Sequence, residues 1–255
     1  MNDLRLALLQ QEIVPDNPAH NLDVFAQMLA PLEATDLVIL PEVFTTGFGA
    51  SARTHAEETG GRAYTWMAEQ AQRLQAVVTG SLVVKDGENY FNRLVWMRPD
   101  GSYSEYNKRH LFRMAGEHQR YAMGQERLLV ELQGWKILPL ICYDLRFPVW
   151  SRNRQDYDLA IYVANWPSAR ALHWNRLLQA RAIENLSYVA GVNRVGFDEK
   201  HQHYAGDSAV YGPAGQVLLL SQEASVLRAN LSAQQLSEYR AAFPALLDAD
   251  DFQLV

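Results

Sequence analysis

The run Lys136-Ile-Leu-Pro-Leu-Ile-Cys-Tyr-Asp-Leu-Arg-Phe-Pro-Val-Trp150 holds the only cysteine of the 255-residue chain, set where an apolar run stops and polar residues begin. Ile137 to Ile141 read as a buried strand, and Tyr143 to Arg146, ahead of Pro148, read as a turn leading into a helix. The Cys142 thiol is therefore expected at the carboxyl end of a strand. Open α/β sheets bind ligands at that edge, and a helix starting just beyond would favour thiolate. An isolated cysteine is more often a small apolar core residue, so the rest of the chain must decide between nucleophile and filler.

Around this stretch, apolar runs alternate as strands and helices. Leu4 to Leu9 is followed by the turn Pro15-Asp16-Asn17-Pro18 and by Leu22, Phe25, Met28 and Leu29 at helical spacing. Asp36 to Leu40 is a second buried strand, which finishes at Pro41-Glu42 and so puts an ionisable side chain where a strand ends. Tyr64, Met67, Ala71 and Leu74 mark a helix face, and Ala76 to Val84 is a strand with Gly80 at its middle. Asp86-Gly87 turns the chain into Asn89 to Met97, a hairpin, and residues 102–125 read as a long aromatic-containing polar loop of the kind that carries function. Leu159 to Ala164 is another buried strand, ending at Asn165-Trp166-Pro167-Ser168; Trp174, Leu177, Leu178 and Arg181 then share a helix face. Ser187 to Val195 returns as a strand. Short strands come after it at 209–211, 216–220 and 225–231, and Ser232 with Gln235 forms a candidate capping box for a last helix showing Leu236, Tyr239 and Phe243. No linker, short-period repeat or low-complexity tract interrupts the pattern. Residues 1–255 are expected to form one α/β domain of layered sheets with helices outside.

Composition narrows the function. The 23 basic and 29 acidic residues give a net charge of −6, which argues against a nucleic-acid binder working through a general basic surface; Asn107-Lys108-Arg109-His110 is too short to change that. No apolar run has the length needed to cross a bilayer. The start MNDLRLALLQQ lacks the basic and long apolar regions of a secretory signal, and a lone cysteine makes no internal disulfide. A cytoplasmic setting with no membrane partner is expected. His201 and His203 lack companions at metal-ligand spacing, and Gly212-Pro213-Ala214-Gly215 is a turn with no Gly-Lys-Ser/Thr after it. Neither a metal nor a cofactor is expected.

Glu42, Lys108 and Cys142 stand out as ionisable groups at strand ends or in the aromatic loop, although singly Glu42 reads as a surface carboxylate and Lys108 as a solvated charge. Taken in order, PEVFTTGF, YNKRHLF, GEHQRYAMG, LPLICYDLRFPVW, ANWP and RAIENLSYVAGVNRVG resemble the nitrilase superfamily of carbon–nitrogen hydrolases, and within it the omega-amidase branch. The resemblance covers essentially the whole chain. It implies a four-layer αββα sandwich that pairs as a homodimer, with Glu42 as general base, Lys108 as oxyanion stabiliser, Cys142 as nucleophile and Glu117 as a second glutamate orienting the lysine and substrate.

The chemistry of those residue types is coherent. In water a glutamate is a poor base for a thiol, because reference pKa values near 4.3 and 8.5 leave the transfer uphill by roughly 6 kcal/mol. A site must close that gap, by desolvating the carboxylate and by placing the Lys108 ammonium beside the sulfur. Attack on an amide gives an oxyanion for which Lys108 and the Tyr143 backbone N–H are suitable donors. A small omega-amide of a dicarboxylic 2-oxo acid, such as 2-oxoglutaramate, would need a cation for its distal carboxylate. Arg146 could supply it, or could pair structurally with Asp144 or Glu184. Phe44, Trp166 and Tyr121 could wall the substrate or belong to the core. Other amides, N-carbamoyl compounds and nitriles suit the same three groups, and a papain-type pairing of Cys142 with His173 or His110 keeps the thiol but replaces the base. A non-catalytic binding protein on the same fold is the alternative of a different class.

Overall fold

Leu4, Leu6 and Leu8 bury against a second sheet while Ala7 and Leu9 bury against helices, so the first strand is apolar on both faces. That is why it reads as a continuous run rather than an alternation. The computed structural model describes residues 1–49 and 51–253. Its first half contains β1 (Leu4–Gln10), α1 (Pro18–Leu29), β2 (Leu37–Ile39), β3 (Glu57–Glu58), α2 (Arg62–Leu74), β4 (Val77–Asp86), β5 (Asn89–Met97) and β6 (Tyr103–Asn107). Next come β7 (Val130–Leu132), β8 (Trp135–Ile141), β9 (Leu159–Ala164), α3 (Ala171–Asn185) and β10 (Tyr188–Asn193). The chain closes with β11 (Val195–Phe197), β12 (His203–Ala205), β13 (Ser208–Tyr211), β14 (Val217–Ser221), β15 (Ser225–Leu231) and α4 (Ala233–Ala242).

Two sheets form the body. One runs β15-β1-β2-β4-β5-β6, with β3 beside β4; the other runs β14-β13-β10-β9-β8-β7. In the first, β1, β2 and β4 are parallel, and in the second β8, β9 and β10 are parallel. Leu22, Phe25 and Leu29 of α1 and Ala63, Tyr64, Met67 and Ala71 of α2 pack on the outer face of the first sheet. Trp174, Leu178 and Ala182 of α3 join the core of the second. The expected αββα layering is present. Strand direction gathers the chemistry at one end, because Glu42 lies just past β2, Lys108 past β6, Cys142 at the end of β8 and Asn165 at the end of β9.

Several local expectations change. Residues 102–125 are not all loop: Tyr103–Asn107 pairs with β5 in an antiparallel register from Met97↔Tyr103 to Arg93↔Asn107. Its polar sequence disguises an edge strand that buries only Tyr106. The chain after Cys142 is a five-residue 3-10 turn, Cys142–Arg146, and no α-helix comes directly after it. In α4, Ser232 Oγ accepts from the Gln235 N–H at 3.3 Å as the cap requires, but of the three apolar residues only Leu236 is buried and Phe243 is exposed. That helix is tied down at its far end by charge, with Arg240 donating to Asp158 at 2.6 Å and to the Leu186 and Tyr157 carbonyls at 2.8 Å.

Gly80, inside β4, has a packing reason. A Cβ there would lie 2.8 Å from Leu40 Cβ and 3.0 Å from the Phe44 ring, which close over the strand. Gly80→Ala is expected to cost about 1–3 kcal/mol by overpacking and to lower the thermal midpoint by roughly 2–12 °C, measurable by circular dichroism; an unchanged midpoint would show that this contact yields freely.

Candidate active site

Two bends aim the site residues away from their strands. Val43, directly after Glu42, has φ +45°, and Cys142 has φ +42°. A β-branched residue in the left-handed region is a genuine outlier, and such strain persists only where surrounding structure enforces it. Here the Val43 N–H donates to Ser81 Oγ at 2.9 Å and the Phe44 N–H to the Ser81 carbonyl at 3.2 Å, pinning the bend to β4.

Glu42, Lys108 and Glu117 are at most 1% exposed and bonded to one another. Lys108 Nζ donates to Glu42 Oε1 at 2.8 Å and to Glu117 Oε1 and Oε2 at 3.0 and 3.1 Å. Asn92 Nδ2 donates to Glu42 Oε1 at 2.8 Å and reaches Glu117 Oε1 at 3.4 Å. The second Glu42 oxygen accepts from the Asn165 N–H at 2.7 Å, across the two sheets, and Glu117 Oε2 accepts from the Phe112 N–H at 2.6 Å. Burial pulls the Lys108 ammonium down, but Glu117, then Glu42 and Cys142, outweigh it, and its pKa is raised above the ordinary lysine value. Burial raises Glu117, against the opposing pull of Lys108.

The Cys142 thiol is buried 3.9 Å from the Asn165 carbonyl oxygen. Burial pushes it well above the usual thiol value and the Glu42 charge pushes it further, while Lys108 pulls the other way. With no α-helix beginning at this residue, the expected helix-terminal stabilisation of thiolate is missing. The resting group is therefore a thiol, and Glu42 is the neighbouring charge that does most to keep it so.

These residues open on a cavity of about 230 Å³ that Glu42, Lys108, Cys142, Tyr143, Arg146 and Trp166 line together. Glu117 stands behind Lys108, outside the lining. Arg146 lies over the Trp166 ring at 4.8 Å, and its Nη2 is 3.1 Å from His173 Nδ1. Neither suggested structural partner engages it: Asp144 accepts from His110, and Glu184 pairs with Arg181 at 2.8 Å. Among the described residues no carboxylate forms an ion pair with Arg146.

Phe44 and Tyr121 stand elsewhere. Phe44 packs edge-on against Phe25 in the helix-facing core. Tyr121 packs behind the site with Val43 and Leu111, where burial lifts its phenol to about 12. The aromatic next along, Phe48, lines the cavity instead, with Lys108 Nζ 5.3 Å above its ring. Neither histidine of the papain-type alternative lines the cavity; His110 stacks on Phe147 at 3.8 Å.

Reading the sequence missed Asn92, Arg120 and Arg170, and the tip of the β11–β12 ribbon, whose Asp198, Lys200 and Gln202 edge the opening. Asn92 did leave a signal: it shares a strand face with Leu94 and Trp96, so a polar amide falls in phase with the core between the sheets.

A family model described as carbon-nitrogen hydrolase matches residues 5–241. The chain is 49% identical over 259 residues to the omega-amidase YafV of Escherichia coli strain K12, covering 100% of both. It is 34% identical to the 2-oxoglutaramate amidase of Bacillus subtilis, covering 95% of this chain and 96% of that protein. Its structure superposes with a TM-score of 0.98, at 50% identity and 100% coverage of each chain, on XC1258 from Xanthomonas campestris, described as a CN-hydrolase superfamily protein with an arsenic adduct in the active site. With motifs, layering and sequence in agreement over nearly its full length, this chain belongs to the carbon-nitrogen hydrolase family, the nitrilase superfamily.

Proposed function

We propose that this protein is an omega-amidase, which hydrolyses the terminal amide of a small dicarboxylic 2-oxo acid monoamide, such as 2-oxoglutaramate, to the acid and ammonia. The observation that carries the reading is one small cavity lined by a thiol, a carboxylate and an ammonium, with an arginine lacking any carboxylate partner among the described residues on its wall. The names of the 49% and 34% identical relatives support the substrate class. Residues 1–255 act as one domain, in the cytoplasm and as a homodimer.

In this reading the Glu42 carboxylate takes the proton from Cys142 Sγ as the sulfur attacks the amide carbon. The Lys108 ammonium, which already meets both carboxylates, and the Tyr143 backbone N–H receive the developing oxyanion. Each such donor is typically worth about 3 kcal/mol in the transition state. Glu42 returns the proton to the nitrogen as the C–N bond breaks, ammonia leaves, and a thioester remains. Water then adds to the thioester while Glu42 takes its proton; the C–S bond breaks, the acid departs and the sulfur recovers its hydrogen. Glu117 holds the ammonium in line. Arg146 receives the distal carboxylate, against the apolar wall of Trp166.

Two measurements of ammonia release test the roles. Glu42→Gln is expected to lower kcat by about 10²–10⁴-fold, while His173→Ala stays within a few-fold of the parent on a neutral amide; the reverse pattern would move the base to the histidine. Arg146→Ala is expected to lower kcat/KM for 2-oxoglutaramate and 2-oxosuccinamate about 10–100-fold more than for a neutral amide, the worth of a charged hydrogen bond. Equal losses on acidic and neutral amides would remove Arg146 as the carboxylate anchor.

A further inference from the structure

One buried acid is left without a part in that chemistry. Asp144 is fully buried, and its carboxylate accepts four hydrogen bonds. Oδ2 takes the Ile141 N–H at 3.0 Å and the Tyr106 hydroxyl at 2.8 Å. Oδ1 takes the His110 N–H at 3.0 Å and lies 2.8 Å from His110 Nδ1.

The identity of these partners matters more than their number. Tyr106 and His110 are the residues two before and two after Lys108, and Ile141 immediately precedes Cys142. One carboxylate thus holds the lysine segment on both sides and the strand end that presents the sulfur. An acid needed only to cap its own turn would use the Ile141 bond; the other three reach 34 and 38 residues back along the chain. The partners are themselves braced: the Tyr106 hydroxyl accepts from Trp150 Nε1 at 3.1 Å and from the Arg109 N–H at 3.2 Å, and the His110 ring stacks on Phe147. β6 and β8 lie in different sheets, so no backbone ladder fixes their separation at this end.

We propose that Asp144 is a positioning residue that sets the separation between the Lys108 ammonium and the Cys142 sulfur, by binding both flanks of the first and the residue preceding the second. It rests on the reading of Lys108 and Cys142 as the oxyanion donor and the nucleophile. Misplacing reacting groups by about 1 Å costs on the order of 10²-fold in rate. In Asp144→Asn the shape is kept, but whichever way the amide turns, donors that met an oxygen now meet N–H groups.

The test uses the full-length protein, with kcat and KM from ammonia release and the pH dependence of Cys142 alkylation by iodoacetamide. Asp144→Asn, folded by circular dichroism, is expected to lose about 100-fold in kcat with KM changed less than about threefold. Its alkylation midpoint should move to higher pH, because a less closely held Lys108 stabilises thiolate less; a residue serving stability alone would leave that midpoint in place. Adding His110→Ala should cost no more than Asp144→Asn alone, since the histidine acts through the carboxylate. Should Asp144→Asn fail to fold, Tyr106→Phe removes the hydroxyl bond to Asp144 along with those from Trp150 and Arg109, His110→Ala removes the ring contact and its stacking on Phe147, and both keep the Ile141 bond of the turn; both should lower kcat several-fold and raise the midpoint. Parent-like kcat and midpoint in the folded variants overturn the proposal. If the unmodified protein releases no ammonia from any amide while Cys142 still alkylates rapidly, the functional reading fails, and the midpoint shift still decides the role of Asp144.

Discussion

An ammonium held dry between two carboxylates is the interaction on which this structure turns. Burying an ion costs several kcal/mol even after relaxation, and here Lys108, Glu42 and Glu117 are sequestered together. The arrangement is tenable only because donors arrive from several directions: Asn92 from β5, the Phe112 N–H from the loop beyond β6, and the Asn165 N–H from the opposite sheet. Sheet register and site electrostatics are therefore one problem. If the second sheet shifted relative to the first, Glu42 would lose its Asn165 donor before any apolar contact was greatly disturbed.

The same crowding defines the sulfur. In a solvated turn Cys142 would titrate as an ordinary thiol; enclosed beside a carboxylate it holds its proton well above that range, with the Lys108 charge pulling back. A thiol kept protonated is less exposed to adventitious oxidation than a standing thiolate. Strained backbone at Val43 and Cys142 is the conformational cost of this arrangement. It lets each strand end abruptly and present the adjoining side chain to the hollow rather than to the next rung of a ladder.

Much of this was readable from residues alone. Apolar runs at 4–9, 36–40, 137–141 and 159–164 marked the parallel strands because both of their faces are covered, and the ionisable residues closing two of those runs pointed to the cavity. What stayed hidden depends on partners distant in sequence. β6 reads as loop because only one of its side chains is buried; the short turn after Cys142 carries the polar signature of a helix start without enough residues to make one. Phe44 and Phe48 are indistinguishable by type, and only the closure of Phe44 over Gly80 sends one to the core and leaves the other at the cavity. Asn92 could be recognised only by asking what an amide does in phase with Leu94 and Trp96.

The β11–β12 ribbon pairs with neither sheet. It meets the rest of the chain at the bridge from Glu12 to Val195 and through the Phe197 N–H, which donates to Glu12 Oε1 at 3.4 Å, while the buried Arg194 donates to the Val195 and Phe197 carbonyls and braces the ribbon at its base. Its tip nonetheless contributes Asp198, Lys200 and Gln202 to the rim of the cavity. Asp198 and Gln202 also tie the tip together and to the buried Tyr204, whereas Lys200 is exposed, so descendants of this architecture could vary that one position at the cavity while leaving the buried cluster of Glu42, Lys108 and Glu117 as it stands.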